Sequence, residues 1–249
     1  MIIFYICIFF LGASIASFLN ATAYRLDKGF KYPEIINKHS HCEKCKKTLT
    51  WYELIPIFGY ILQKGKCPKC NTTINIYYPI SELLLGISAL LFYLYSVPWY
   101  LIIVFLFLFV LSYYDQKDNA VPQKLVHILL VLSVLIFVIY IRDYYNLIFP
   151  FSISLFLIIM NLFKKSFGMG DILVLLGIGI LVNYKQYLVI FWFGIIVALL
   201  YSIYLVVFKK KEIKNTKVPM IPFFTISYVI SIFYGDIIFD YLLKYIVLW

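Results

Sequence analysis

Eight apolar runs, each near the length of a membrane-crossing helix, occupy most of this chain and leave little material for a water-soluble core. They fall at roughly 2–19, 79–96, 99–114, 124–141, 147–163, 171–184, 186–208 and 218–235. A helix needs about 20 mostly apolar residues to cross a hydrocarbon layer of about 30 Å. With 63% hydrophobic and 14% charged residues and a mean hydropathy of +0.92, the composition excludes an ordinary soluble domain. The expected fold is an all-α polytopic membrane protein of about eight transmembrane helices. The run at 171–184 is short enough to start deeper in the protein, and Asp236 and Asp240 leave 237–249 as a candidate interfacial segment.

The net charge of +10 does not read as a nucleic-acid surface, because the bases are confined to particular loops. Segments 24–78, 115–124, 164–170 and 209–217 hold 19 of the 22 Lys and Arg residues, and only Arg142, Lys185 and Lys244 lie on the other side. The positive-inside rule makes those segments cytoplasmic and both termini external. The lipid bilayer is thus the expected partner, and no nucleic acid is. Tyr and Trp near the ends of the runs read as interface anchors. Ser14-Ile15-Ala16 has the small-x-small look of a cleavage site, but no Lys or Arg precedes it, so the first run reads as a retained helix. No internal repeat or low-complexity tract appears.

The one long polar segment, 24–78, carries Cys42-Glu-Lys-Cys45 and Cys67-Pro-Lys-Cys70. Two such knuckles suit one tetrahedral zinc, with the residues between them free to form a hairpin. A disulfide pair is the competing reading, and the cytoplasmic assignment argues against it. The segment is too small for a confident core of its own, so structural zinc is expected to supply folding energy. His39 and His41, just ahead of Cys42, are expected to be exposed loop residues, and Cys7 a small helix residue.

Acids at the ends of apolar runs need a reason, since an ionisable group in a membrane segment costs about 2.5–3.5 kcal/mol on insertion scales. Asp115 ends one run, Asp171 begins another within Gly168-Met-Gly170-Asp171, and the intervening runs return the chain to the same side. The two glycines allow close approaches that let the loop carry Asp171 into a tight pocket. Asp171 could instead be a simple helix cap, and Asp118 reads as a solvated loop acid. Glu82 has no obvious cap and marks a buried polar contact or a second site. Paired carboxylates can share one proton while the other acid activates water, which is the chemistry of an aspartyl protease.

In the order of these elements the chain resembles the type IV prepilin peptidases, bifunctional leader peptidases and N-methyltransferases with a Gly-x-Gly-Asp motif. The resemblance runs through Ser17-Phe-Leu-Asn20, Tyr24-Arg-Leu26, the knuckles, Leu49-Thr-Trp51, Leu54-Ile-Pro56, Tyr78-Pro-Ile-Ser-Glu82-Leu, Asp115 with Pro122 seven places on, and Gly168-Met-Gly170-Asp171. It implies that Asp115 and Asp171 are the catalytic pair, cutting a prepilin or pseudopilin precursor after a short basic leader. It also implies methyl transfer from S-adenosylmethionine to the new N-terminus, in a multi-pass protein of the inner membrane with the zinc loop and both aspartates cytoplasmic. The chain would then divide into a first transmembrane helix at 1–23, a cytoplasmic four-cysteine zinc-binding domain at 24–78 and a transmembrane aspartyl peptidase domain at 79–249.

Leu173, Gln123, Gly59 and the partly matching Ile221-Pro-Phe-Phe-Thr225 depart from the family pattern. No Gly-rich loop between a strand and a helix marks a methyl-donor site, so its residues are not assigned from the sequence. Two rivals stay open. One is an intramembrane Gly-x-Gly-Asp protease with another substrate, and the other a transporter or scaffold whose acids are coupling or packing groups.

Overall fold

The computed structural model describes residues 1–163, 167–209 and 218–247. Lys164, Lys165 and the basic stretch 210–217, which carry part of the topology reading, lie outside the described residues, as do 248 and 249. Among the described residues the fold is helical, with seven helices long and apolar enough to cross a membrane. The eighth expected span is instead an 11-residue helix, and its shortness has a packing cause given below.

The chain forms two compact units, Met1–Val97 and Pro98–Trp249. The first contains α1 (Ile2–Asp27), the short α2 (Glu34–Asn37) and α3 (Phe58–Leu62), and α4 (Tyr77–Leu94). The sequence boundary after 78 follows polarity. The compact unit follows packing, and α4 packs on α1 through small residues. A Cβ added to Gly12 would lie 2.6 Å from the Ala89 Cβ, and Ala13 and Ala16 are wholly buried. Close approach of small residues is how helices associate where lipid removes the hydrophobic drive. Asn20 adds an interhelical hydrogen bond, its Nδ2 donating to Ser81 Oγ at 2.8 Å.

The second unit contains α5 (Trp99–Asp118), α6 (Gln123–Ile136, running on as a π turn to Ile141), α7 (Ile148–Phe163), α8 (Met169–Gly179), α9 (Tyr184–Lys209) and α10 (Ile221–Val247). Asn119, left-handed at φ 49°, ends α5 just past Asp115. In α8, Ile172, Val174, Leu175 and Ile178 are fully buried, mainly against α6 and α7. A helix of this length rises about 16 Å, about half a hydrocarbon layer. Surrounded by protein, it has no need to span. By contrast α9 exposes Leu199, Leu200 and Ile203, the surface expected of a lipid-facing helix.

α10 continues through Asp236 and Asp240 without a break, so these acids do not split an interfacial tail from the last span. Each has a partner that sequence reading could not supply. Asn183 Nδ2 donates to Asp236 at 3.0 Å, and the Lys185 ammonium pairs with Asp240 at 2.7 Å. Higher up, Tyr228 is fully buried and donates to the Leu101 carbonyl, tying α10 to α5.

Candidate active site and cysteine cluster

The two knuckles are built alike. In each, the first cysteine's N–H donates to the carbonyl five places on, Cys42 to Lys47 and Cys67 to Thr72, both at 2.9 Å. The residue after each second cysteine turns left-handed, Lys46 at φ 58° and Asn71 at φ 52°. A single antiparallel bridge closes each, His41 to Thr48 and Lys66 to Thr73. This is a structural repeat, and it corrects the expectation of no internal repeat: counted from its first cysteine, each knuckle reads Cys-x-Lys-Cys-x-x-Thr followed by Leu49 or Ile74.

The residues between the knuckles form no hairpin. Trp51–Leu54 is a 3₁₀ turn started by a capping box, in which the Thr50 amide donates to Glu53 Oε2 at 2.8 Å, and α3 follows. Thr50 and Glu53 stand three apart, the signal of a helical start.

All four Sγ atoms lie within 4.8 Å of one another, with Cys42 to Cys70 and Cys45 to Cys67 both 3.8 Å apart. Sulfurs at about 2.3 Å from a tetrahedral zinc stand about 3.8 Å apart, so the donor set fits that ion in number, type and spacing. The hydroxyl and amide of Thr72 hold the Cys70 thiol down at about 6, and the amides of Cys70 and Lys69 pull Cys67 down. At Cys45 the Lys47 amide acts the same way, but burial and the other sulfurs push the thiol up to about 11. Four thiols this close oppose one another's ionisation, a conflict that a dication removes. His39 and His41 are not part of the cluster, and Cys7 lies away from it on exposed α1 surface.

In the second unit, Asp115 is 5% exposed in the last turn of α5. Its Oδ2 accepts the N–H of Ile221, the first residue of α10, at 2.9 Å. An orphan donor at the start of a 27-residue helix thus meets a carboxylate, the arrangement a helix N-terminus favours. The contact is fixed one turn away by Ser112 and Thr225, whose hydroxyls are 2.8 Å apart, while Thr225 also donates to the Ile221 carbonyl. The Ile221–Thr225 segment therefore has a structural task that its sequence did not disclose.

Asp171 stands in the first turn of α8, half-buried and within the electrostatic reach of Asp115. The Gly-x-Gly pattern has a spatial cause at each glycine. A Cβ on Gly168 would lie 2.9 Å from Asp171 Oδ2, which folds back over that residue. One on Gly170 would lie 2.5 Å from Val121 Cγ2. Val121 belongs to the loop that follows Asp115, so a bare Gly170 backbone lets the two aspartate-bearing segments close on each other.

Asn161 of α7 clasps the residue before the motif. Its Nδ2 donates to the Phe167 carbonyl at 2.8 Å and its Oδ1 accepts the Phe167 N–H at 3.0 Å. Sequence reading missed Asn161; a lone amide near the end of an apolar run was its only signal. Asp118, at the end of α5, is exposed. Glu82 is in the other unit, buried in the first turns of α4, where its Oε2 accepts the Ile57 N–H at 2.7 Å. A buried, anchored carboxylate with a half-buried one within its electrostatic reach forms an arrangement able to activate water by acid–base chemistry.

Helices, knuckles and paired acids together define a polytopic membrane protein with a Gly-x-Gly-Asp carboxylate pair. Residues 10–96 match the model of the bacterial peptidase A24 N-terminal domain, and residues 102–203 that of the type IV leader peptidase family. The chain belongs to the type IV leader peptidase family. It is 27% identical over 247 residues to a prepilin leader peptidase/N-methyltransferase of Bacillus subtilis, covering 95% of this chain and 97% of that one. The like-named protein of Vibrio cholerae is 29% identical over 208 residues, covering 75% and 81%, and that of Xanthomonas campestris 26% over 274, covering 94% and 93%. No solved structure matches.

Proposed function

We propose that this protein is a membrane aspartyl endopeptidase that removes the leader of prepilin-like precursors and then methylates the new N-terminus. The observation carrying the reading is the approach of Asp171 to Asp115, with Val121 of one segment set against Gly170 of the other. Relatives along nearly the whole chain bear the name of both activities.

In the proposed reaction, one carboxylate takes a proton from a water as it attacks the scissile carbonyl, while the other, protonated, polarises the carbonyl oxygen. The Ile221 N–H steadies Asp115, and Asp171 is the more exposed of the two acids. A precursor held by its own apolar helix would meet this pair already confined to the membrane, which supplies much of the positioning. Cys42, Cys45, Cys67 and Cys70 would hold one structural zinc that stabilises the ribbon formed by the two knuckles and the turns between them. The excess of Lys and Arg in alternate loops supports a cytoplasmic position for the ribbon and both aspartates in a multi-pass inner-membrane protein.

Mass spectrometry of a prepilin-like precursor co-expressed with this chain tests both halves. The expected product has lost its leader and gained one methyl mass. An intact precursor would overturn the peptidase reading, and a product cleaved but never methylated would overturn the second.

A further inference from the structure

A cavity of about 520 Å³ lies wholly within the first unit, between the ribbon, the last turns of α1 and the first turns of α4. That size suits a small organic ligand. Peptide hydrolysis by the aspartate pair makes no use of it.

Two groups in its wall are set for a ligand. Asn20, only 2% exposed, is oriented by a relay: its Nδ2 donates to Ser81 Oγ, which donates to the Tyr78 carbonyl at 2.8 Å. Because the Ser81 proton is committed, the amide orientation is fixed and Asn20 Oδ1 is left without a hydrogen-bond partner. A buried acceptor of this kind is costly unless something donates to it. The other group is the Glu82 carboxylate, which also lines the cavity.

Glu82 is held by a strained piece of backbone. Ile57, β-branched, adopts φ 66° and ψ −52°, and the Phe58 N–H donates to the Pro56 carbonyl at 2.7 Å. This is a γ-turn of the rare hand, a conformation that persists where surroundings enforce it and that gathers at functional sites. Here it delivers the Ile57 N–H to Glu82 Oε2. Tyr24, Tyr60 and Tyr78 add aromatic surface to the wall.

We infer that this cavity binds the methyl donor, a nucleoside sulfonium of the S-adenosylmethionine class. Glu82 supplies the negative charge that a sulfonium and an α-ammonium require, and Asn20 Oδ1 the acceptor for one of the donor's N–H or O–H groups. The tyrosines offer faces for a purine or a cationic sulfur. The donor carries no phosphate, so the missing Gly-rich loop is no obstacle, since such loops cradle phosphates. The inference rests on the methyl-transfer half of the proposed function.

The test is equilibrium binding of radiolabelled S-adenosylmethionine to the zinc-loaded full chain in nanodiscs, with wild type, Glu82→Gln and Asn20→Ala, alongside hydrogen exchange of wild type with and without the compound. Expected are binding by wild type, at least ten-fold weaker binding by each variant with zinc content unchanged, and slowed exchange in 53–63 and 72–82. Should a variant lose its zinc, the wild-type exchange pattern decides. Wild type that binds and methylates, with unaltered affinity in both variants or protection confined to other segments, would overturn the site and leave methyl transfer standing. Wild type that neither binds the compound nor adds a methyl group would remove the parent reading, and this site with it.

Discussion

Val121 and Gly170 form the closest test of how single residues shape the aspartate pair. Gly170→Ala would place a methyl group 2.5 Å from Val121 Cγ2, whose stiff side chain leaves it little room to yield. Displacement of Asp171 by a fraction of an ångström is expected, and misplacement on the 1 Å scale costs about 100-fold in rate. Cleavage rates should therefore fall by at least about ten-fold in Gly170→Ala and recover partly in Gly170→Ala/Val121→Ala. Equal rates in the two variants would break the link between these residues. The motif itself was legible because an acid beside an apolar run is expensive. The reasons for its glycines were not, because Val121 lies 49 positions earlier and only folding brings it near. The anchor of Asp115 was hidden for a different reason: Ile221 acts through its backbone N–H, which every residue but proline possesses.

At the scale of elements, the cysteine ribbon is an ordered piece assembled from turns rather than from a core. Burial alone would push the Glu53 carboxyl up, but the Lys47 ammonium at 2.6 Å and the Thr50 donors prevail and hold it below the ordinary carboxylate range. Its folded value is thus below its unfolded one. The stabilisation is full above about pH 4.3 and fades as pH falls through the folded value. The melting temperature of wild type should exceed that of Glu53→Gln by a constant margin from pH 7 to pH 5, and the margin should shrink below about pH 4. A margin that grows on acidification would contradict the ion pair. Removal of metal acts on the whole element: fresh, reduced protein should contain one zinc per chain, and chelation or Cys67→Ser should open 24–78 to proteolysis. Metal analysis finding none would reject the site. The ligands could be read from spacing, which is local; the expected hairpin gives way to a 3₁₀ turn because Thr50 and Glu53 cap a helical start. The helix α8 reads as a span in the sequence because hydropathy measures apolarity alone, and a helix enclosed by protein is as apolar as one enclosed by lipid.

Across the whole molecule, long apolar helices were legible because the bilayer dictates their length and composition. Their grouping was not, since α4 joins α1 through Gly12, Ala13 and Ala16, small residues that hydropathy barely registers. One chain thus combines a metal-ribbon unit carrying a ligand-sized cavity with a helical unit carrying two converging acids. The proposed joint action of Asp115 and Asp171 in cleaving the precursor can be checked with purified Asp115→Asn and Asp171→Asn in nanodiscs, incubated with a prepilin-like precursor and followed by mass spectrometry. Each variant should insert and retain its zinc while cleavage falls by about 100-fold or more, the range for loss of a general acid or base. Processing at near wild-type rate by either variant would contradict the account.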